Sequence, residues 1–126
     1  MKTIIQTPKA PAPIGPYNQA ILVDNTLYAS GQIALDPKTM ELVNRDIETE
    51  TIQVMKNLSE VLKAAGMDFA NLVKTTIFLY DMGDFAAVNE VYGSYFNHEI
   101  APARETVQVA ALPKNVRVEI SVIAVR

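Results

Sequence analysis

One arginine, in Ala101-Pro102-Ala103-Arg104-Glu105-Thr106-Val107, has the residue type best suited to hold a small acid. A guanidinium presents a planar fork of N–H donors that meets a carboxylate through two parallel hydrogen bonds. In a strand, Arg104, Thr106 and Gln108 share one face, opposite Val107 and Val109. On residue type alone Arg104 reads more often as a surface or salt-bridging group. Three further segments set polar groups beside glycine or proline. Ile14-Gly15-Pro16-Tyr17-Asn18-Gln19-Ala20 brings an aromatic hydroxyl from a rigid loop to the start of a strand. Ser30-Gly31-Gln32-Ile33 contains a glycine that lets another group approach the backbone closely. In Val118-Glu119-Ile120 the carboxylate points away from a row of valines. Such a group is ordinarily solvated, or paired with Arg117 or an arginine on a neighbouring strand.

Counting removes most other chemistries. A zinc site needs three or four His, Cys or carboxylate ligands, and this chain has one histidine and no cysteine. His98 reads as a cation near the C-terminal end of a helix, and nothing places a serine beside it for a triad. There is no Walker loop and no G-x-G-x-x-G, so a phosphate cradle is unsupported. Without cysteine there is no disulfide framework and no thiolate chemistry, which is compatible with a cytoplasmic protein. A formal charge of −3 with no basic run argues against nucleic acid as a partner. No run reaches the ~18–20 apolar residues of a membrane span.

The elements that position these residues follow from periodicity. At 126 residues the chain is expected to form one domain, 1–126. Residues 2–6 read as a strand, and the prolines at 8, 11, 13 and 16 make an extended loop. Ala20–Val23 and Thr26–Ala29 form hairpin arms around Asp24-Asn25. Ile47, Thr51, Ile52, Met55, Leu58, Leu62 and Ala65 make the apolar stripe of a helix, capped by Asn44 or Asp46 and stopped by Gly66. A strand over Val73–Tyr80 precedes a second helix, capped by Asp81 or Asp84, that buries Phe85, Val88, Tyr92, Tyr95 and Phe96. Strands over Arg104–Val109 and Val116–Val125 close the order βββαβαββ, an α+β fold of about six strands and two helices. Two helices cover one side of such a sheet, so its second side calls for another copy of the chain.

The four polar segments, with Asp36-Pro37, Val73-Lys74-Thr75-Thr76 and Leu112-Pro113-Lys114, resemble signatures of the RidA (YjgF) family, in the family's order and across nearly the whole chain. The resemblance implies a chorismate-mutase-like fold assembled as a homotrimer with clefts between subunits. It implies cofactor-free hydrolysis of reactive 2-imino or 2-enamino acids, such as 2-iminobutanoate and 2-iminopropanoate or 2-aminoacrylate, to 2-oxo acids and ammonia. By the same resemblance Arg104 binds the carboxylate and Tyr17, Ser30 and the Gly31 backbone line the pocket. Thr106, Asn89 and Phe85 also line it, and Glu119 activates the attacking water. Glu119 beside an arginine would stay ionised and accept a proton from that water. Many relatives carry cysteine where Thr106 stands. Glu105 would compete with substrate if it faced the cleft, although alternation sends it away from Arg104. Two rival readings remain: an endoribonuclease or translation inhibitor, and a non-catalytic small-carboxylate-binding or chaperone-like trimer.

Overall fold

Alternating apolar residues build six strands, and two amphipathic stretches build two helices. The strands are β1 Lys2–Ile5, β2 Ala20–Val23, β3 Thr26–Gln32, β4 Leu72–Leu79, β5 Ala103–Gln108 and β6 Val118–Val125. The helices are α1 Ile47–Ala64 and α2 Phe85–Gly93, so the order is βββαβαββ. The structure, a computed structural model, describes all 126 residues. One mixed sheet runs β1-β2-β3-β6-β4-β5. Only β4 and β5 are parallel, and the crossover such a pair requires carries α2. No helix is long and apolar enough to cross a membrane.

Both helices pack on one face of the sheet. There Val118, Ile120, Val122 and Ala124 of β6 are buried against Val54, Leu58, Val61 and Leu62 of α1 and Val88 of α2. Each large aliphatic group so buried contributes about 1.5–3 kcal/mol. Asp46 caps α1 by accepting from the Thr49 N–H at 2.7 Å, and that bond chiefly holds its carboxyl down at about 2. Gly66, at φ 72°, ends the helical run.

The buried stripe of α1 differs from the expected one. Ile52 is exposed, whereas Glu50 and Asn57 are fully buried. Glu50 accepts from the Arg117 N–H at 2.8 Å and from Arg117 Nε at 2.7 Å, while Arg117 Nη2 donates to the Asn44 carbonyl at 2.9 Å. Asn57 Nδ2 donates to the Ile33 and Leu35 carbonyls, each at 3.0 Å. These polar side chains tie α1 to the start of β6 and to the loop after β3. Gln19 plays the same part for the proline-rich loop: it accepts from the Thr7 N–H at 2.7 Å and donates to the Thr7, Ala10 and Pro11 carbonyls.

Three boundaries also move. Asp81, not Asp84, makes the cap before α2, accepting from the Gly83 N–H in the 3-10 turn Met82–Asp84. Tyr95 and Phe96 follow the end of α2 and meet Phe69 edge-on at 5.3 and 5.7 Å. The last strand starts at Val118 because the turn before it puts Lys114 and Asn115 at φ 56°.

The other face of the sheet carries no helix and exposes Ile4, Tyr28 and Val107. Removing the Arg117 side chain tests the α1–β6 tie. Arg117→Met leaves the Glu50 carboxylate buried with one backbone donor and is expected to cost about 3 kcal/mol in denaturant unfolding.

Candidate active site

Arg104 sits on the edge strand β5 and turns toward α2. Its register partner on β4 is Thr75, which in turn pairs with Val122 of the buried β6 row. Alternation therefore puts Arg104 on the helix-covered face. Its Nη1 donates to Asn89 Oδ1 at 2.6 Å. The guanidinium carbon stands 5.6 Å from the Phe85 ring centroid and 5.3 Å from that of Tyr92. Phe85, Asn89 and Tyr92 lie at helical spacing on α2, so one helix face supplies all three. Tyr92 is itself fixed: its hydroxyl donates to Thr75 Oγ1 at 3.0 Å within the core. Burial pushes its phenol up, so it remains a neutral donor. With Nη1 engaged, Nε and Nη2 stay free for a ligand. A hollow of about 430 Å³ opens beside them, lined by Asn89, Tyr92, Gly93, Phe96, His98, Ala101, Pro102 and Arg104.

Glu119 belongs to a second hollow of about 580 Å³, shared with Tyr17, Ser30, Gly31 and Lys114. Its carboxylate lies against Gly31 so closely that a Cβ there would stand 2.8 Å from Glu119 Cδ and 2.9 Å from Cγ. This close approach is the reason a glycine is needed at position 31. The Ser30 hydroxyl donates to the Asn18 carbonyl at 2.6 Å, and the Tyr17 hydroxyl accepts from the Ile14 N–H at 3.2 Å. Both groups brace the loop, which keeps the wall of the hollow in place.

The sequence had suggested Glu119 beside an arginine. Within one chain it has no such neighbour. Glu119 pairs with Phe78, three positions along β4 from Thr75, so it lies on the face opposite Arg104. No ion pair or hydrogen bond of the chain holds it, and burial pushes its carboxyl above the ordinary range. Glu105 does point away from Arg104, and Lys74 Nζ meets it at 3.4 Å. Thr106 is on the Arg104 face but does not line the hollow. Its Oγ1 is buried without a partner. Asn89 and Phe85 do gather around Arg104. Sequence reasoning missed Tyr92, whose helical spacing made it a core residue, and His98, whose ring lines the arginine hollow. No group of three or more His, Asp or Glu side chains is arranged to hold a metal ion.

A six-stranded α+β sheet with this order and two helices on one face defines a chorismate-mutase-like fold class. The chain belongs to the Endoribonuclease L-PSP family, also known as YjgF or RidA, whose profile matches residues 7–126. It is 55% identical over its full length to the 2-iminobutanoate/2-iminopropanoate deaminase of Mus musculus, covering 93% of that protein. A Yersinia pestis structure, described as a protein of unknown function of the conserved Rid family, is 50% identical and superposes at a TM-score of 0.96, with both chains fully covered. A structure of E. coli TdcF with bound serine is 40% identical, with a TM-score of 0.92 and 98% of each chain covered.

Gly31→Ala tests the close approach. The added methyl must displace the Glu119 side chain, so turnover is expected to fall at least about tenfold while the melting temperature moves by only a few degrees.

Proposed function

We propose that this protein hydrolyses reactive 2-imino acids, such as 2-iminobutanoate and 2-iminopropanoate, to 2-oxo acids and ammonia. The observation that carries the reading is full-length 55% identity to a deaminase by a chain that holds an arginine fork half-free in an aromatic cleft. Arg104 grips the substrate carboxylate through two parallel hydrogen bonds and so fixes the imine carbon. Glu119 takes a proton from water as its oxygen adds to that carbon. Glu119 then gives that proton to the carbinolamine nitrogen. The C–N bond breaks as the hydroxyl, losing its proton to the freed carboxylate, becomes the carbonyl, and the nitrogen leaves as ammonia. The iminium carbon is already electrophilic, so positioning and one base suffice.

Arg104 and Glu119 lie on opposite faces of one sheet, so the complete site joins two chains. The helix-free face, with Ile4, Tyr28 and Val107 exposed, provides the surface for assembly into a homotrimer. In that arrangement Tyr17, Ser30, Gly31 and Glu119 of one copy face Arg104, Asn89, Phe85 and Thr106 of the next. A molar mass in solution near three times 13.9 kDa is expected.

The direct test couples a dehydratase that releases 2-aminoacrylate to this protein and follows the imine's decay. Wild type should accelerate the decay over solvent hydrolysis, and Arg104→Ala should lose about a hundredfold in kcat/KM. No acceleration would overturn the reading, and RNA cleavage at comparable efficiency would favour the ribonuclease.

The pH profile carries a second expectation. Burial raises the carboxyl of Glu119, so it holds its proton to a higher pH than an ordinary carboxyl, whose value is 4.5. Arg104 of the next copy, facing it across the site, favours the base form in turn. The acid limb of kcat/KM should follow this carboxyl and vanish in Glu119→Gln.

A further inference from the structure

We propose that His98 tunes the arginine cleft for 2-imino acids that carry a second carboxylate. This rests on the deaminase reading and adds the substrate class. His98 is the chain's one histidine, and its ring lines the same hollow as Arg104, Asn89 and Tyr92. Its place along α2 is well defined. A Cβ on Gly93 would stand 3.5 Å from His98 Nε2, so the imidazole rests on the helix turn at Gly93. Asn89, which holds Arg104, is four residues earlier on the same helix face. Asn89 and Gly93 are offset by one turn, ~6 Å along the helix axis, and the arginine and histidine they contact line one hollow.

A hollow lined by both a guanidinium and an imidazole offers donors to the two carboxylates of a short diacid. The segment bearing His98 is braced, since Asn97 Oδ1 accepts from the Glu99 N–H at 3.0 Å at the head of the 3-10 turn His98–Ile100. An imidazole offers an N–H donor in either charge state, and a guanidinium offers donors only. No aspartate or glutamate of the same chain lines this hollow. The main carboxylate engages Arg104, the imine carbon faces the base, and the distal carboxylate accepts from His98. A purely structural role for His98, as a group packed at the end of α2, would leave the preference set by Arg104 unchanged when the imidazole donor is removed.

The experiment compares two products of such reactions, oxaloacetate and 2-oxobutanoate, as ligands in calorimetric titration. Wild type should bind oxaloacetate about tenfold more tightly, the worth of one hydrogen bond to a charged group. His98→Phe keeps a flat ring but no donor and should bring the affinity ratio to about one. His98→Gln restores an N–H donor and should recover part of the preference. Equal affinities in wild type, or a ratio unmoved in His98→Phe, would overturn the inference and leave the deaminase reading intact. Failure of wild type to bind oxaloacetate would likewise overturn the inference, while the deaminase reading stands or falls on the imine's decay. Should His98→Phe fold poorly, the ratio in His98→Gln and in wild type still decides.

Discussion

Side chains on a strand alternate between the two faces of a sheet, and this rule governs the geometry of the whole site. Arg104 pairs with Thr75 and Glu119 with Phe78, three positions apart on the shared neighbour β4. An odd separation sends them to opposite faces. A one-residue slip of β5 would move Arg104 away from α2 and expose its partners to water. The register is held on one side by the antiparallel β4–β6 ladder. On the other it is held by Gln108, whose Oε1 accepts from the Met82 N–H at 2.7 Å just before α2.

Around that constraint the chain builds two differently organised halves. The arginine half is rigid and aromatic: Asn89 takes one donor, Phe85 and Tyr92 stand beside the guanidinium, and Thr75 fixes Tyr92 from the sheet. Cation–π contacts of this kind contribute about 0.5–2 kcal/mol, and their larger effect here is orientational. The carboxylate half is backbone-lined. Glu119 fits against Gly31, and the loop bearing Tyr17 is anchored through Gln19. The half-buried Glu119 has no cation in its own chain, and its burial raises its affinity for a proton, which suits it to act as a base.

Much of this was legible in the sequence. The element order, a cap at Asn44 or Asp46, the buried valine row of β6 and the outward turn of Glu119 all follow from local periodicity and capping. What escaped depends on contacts distant in sequence. Glu50 is buried because Arg117, far along the chain, meets it with two donors, and no helical pattern announces that. Ile52 conversely looks like core and faces out. Tyr92 fits an apolar stripe so well that its hydroxyl bond and its place beside Arg104 were hidden. The separation of Arg104 and Glu119 followed from alternation only once the strand neighbours were known. The arginine itself was identified by residue type, whereas its clasp required the fold.

The central claim is that each site takes its carboxylate grip from one chain and its base from another. Reassembling Arg104→Ala and Glu119→Gln subunits together in equal amounts tests it most directly. Each variant alone should be nearly inactive. Random pairing gives about a quarter of the sites one intact residue from each parent, so the mixture should recover about a quarter of wild-type turnover. A reassembled oligomer of mixed composition that stays as inactive as its parents would contradict the shared site.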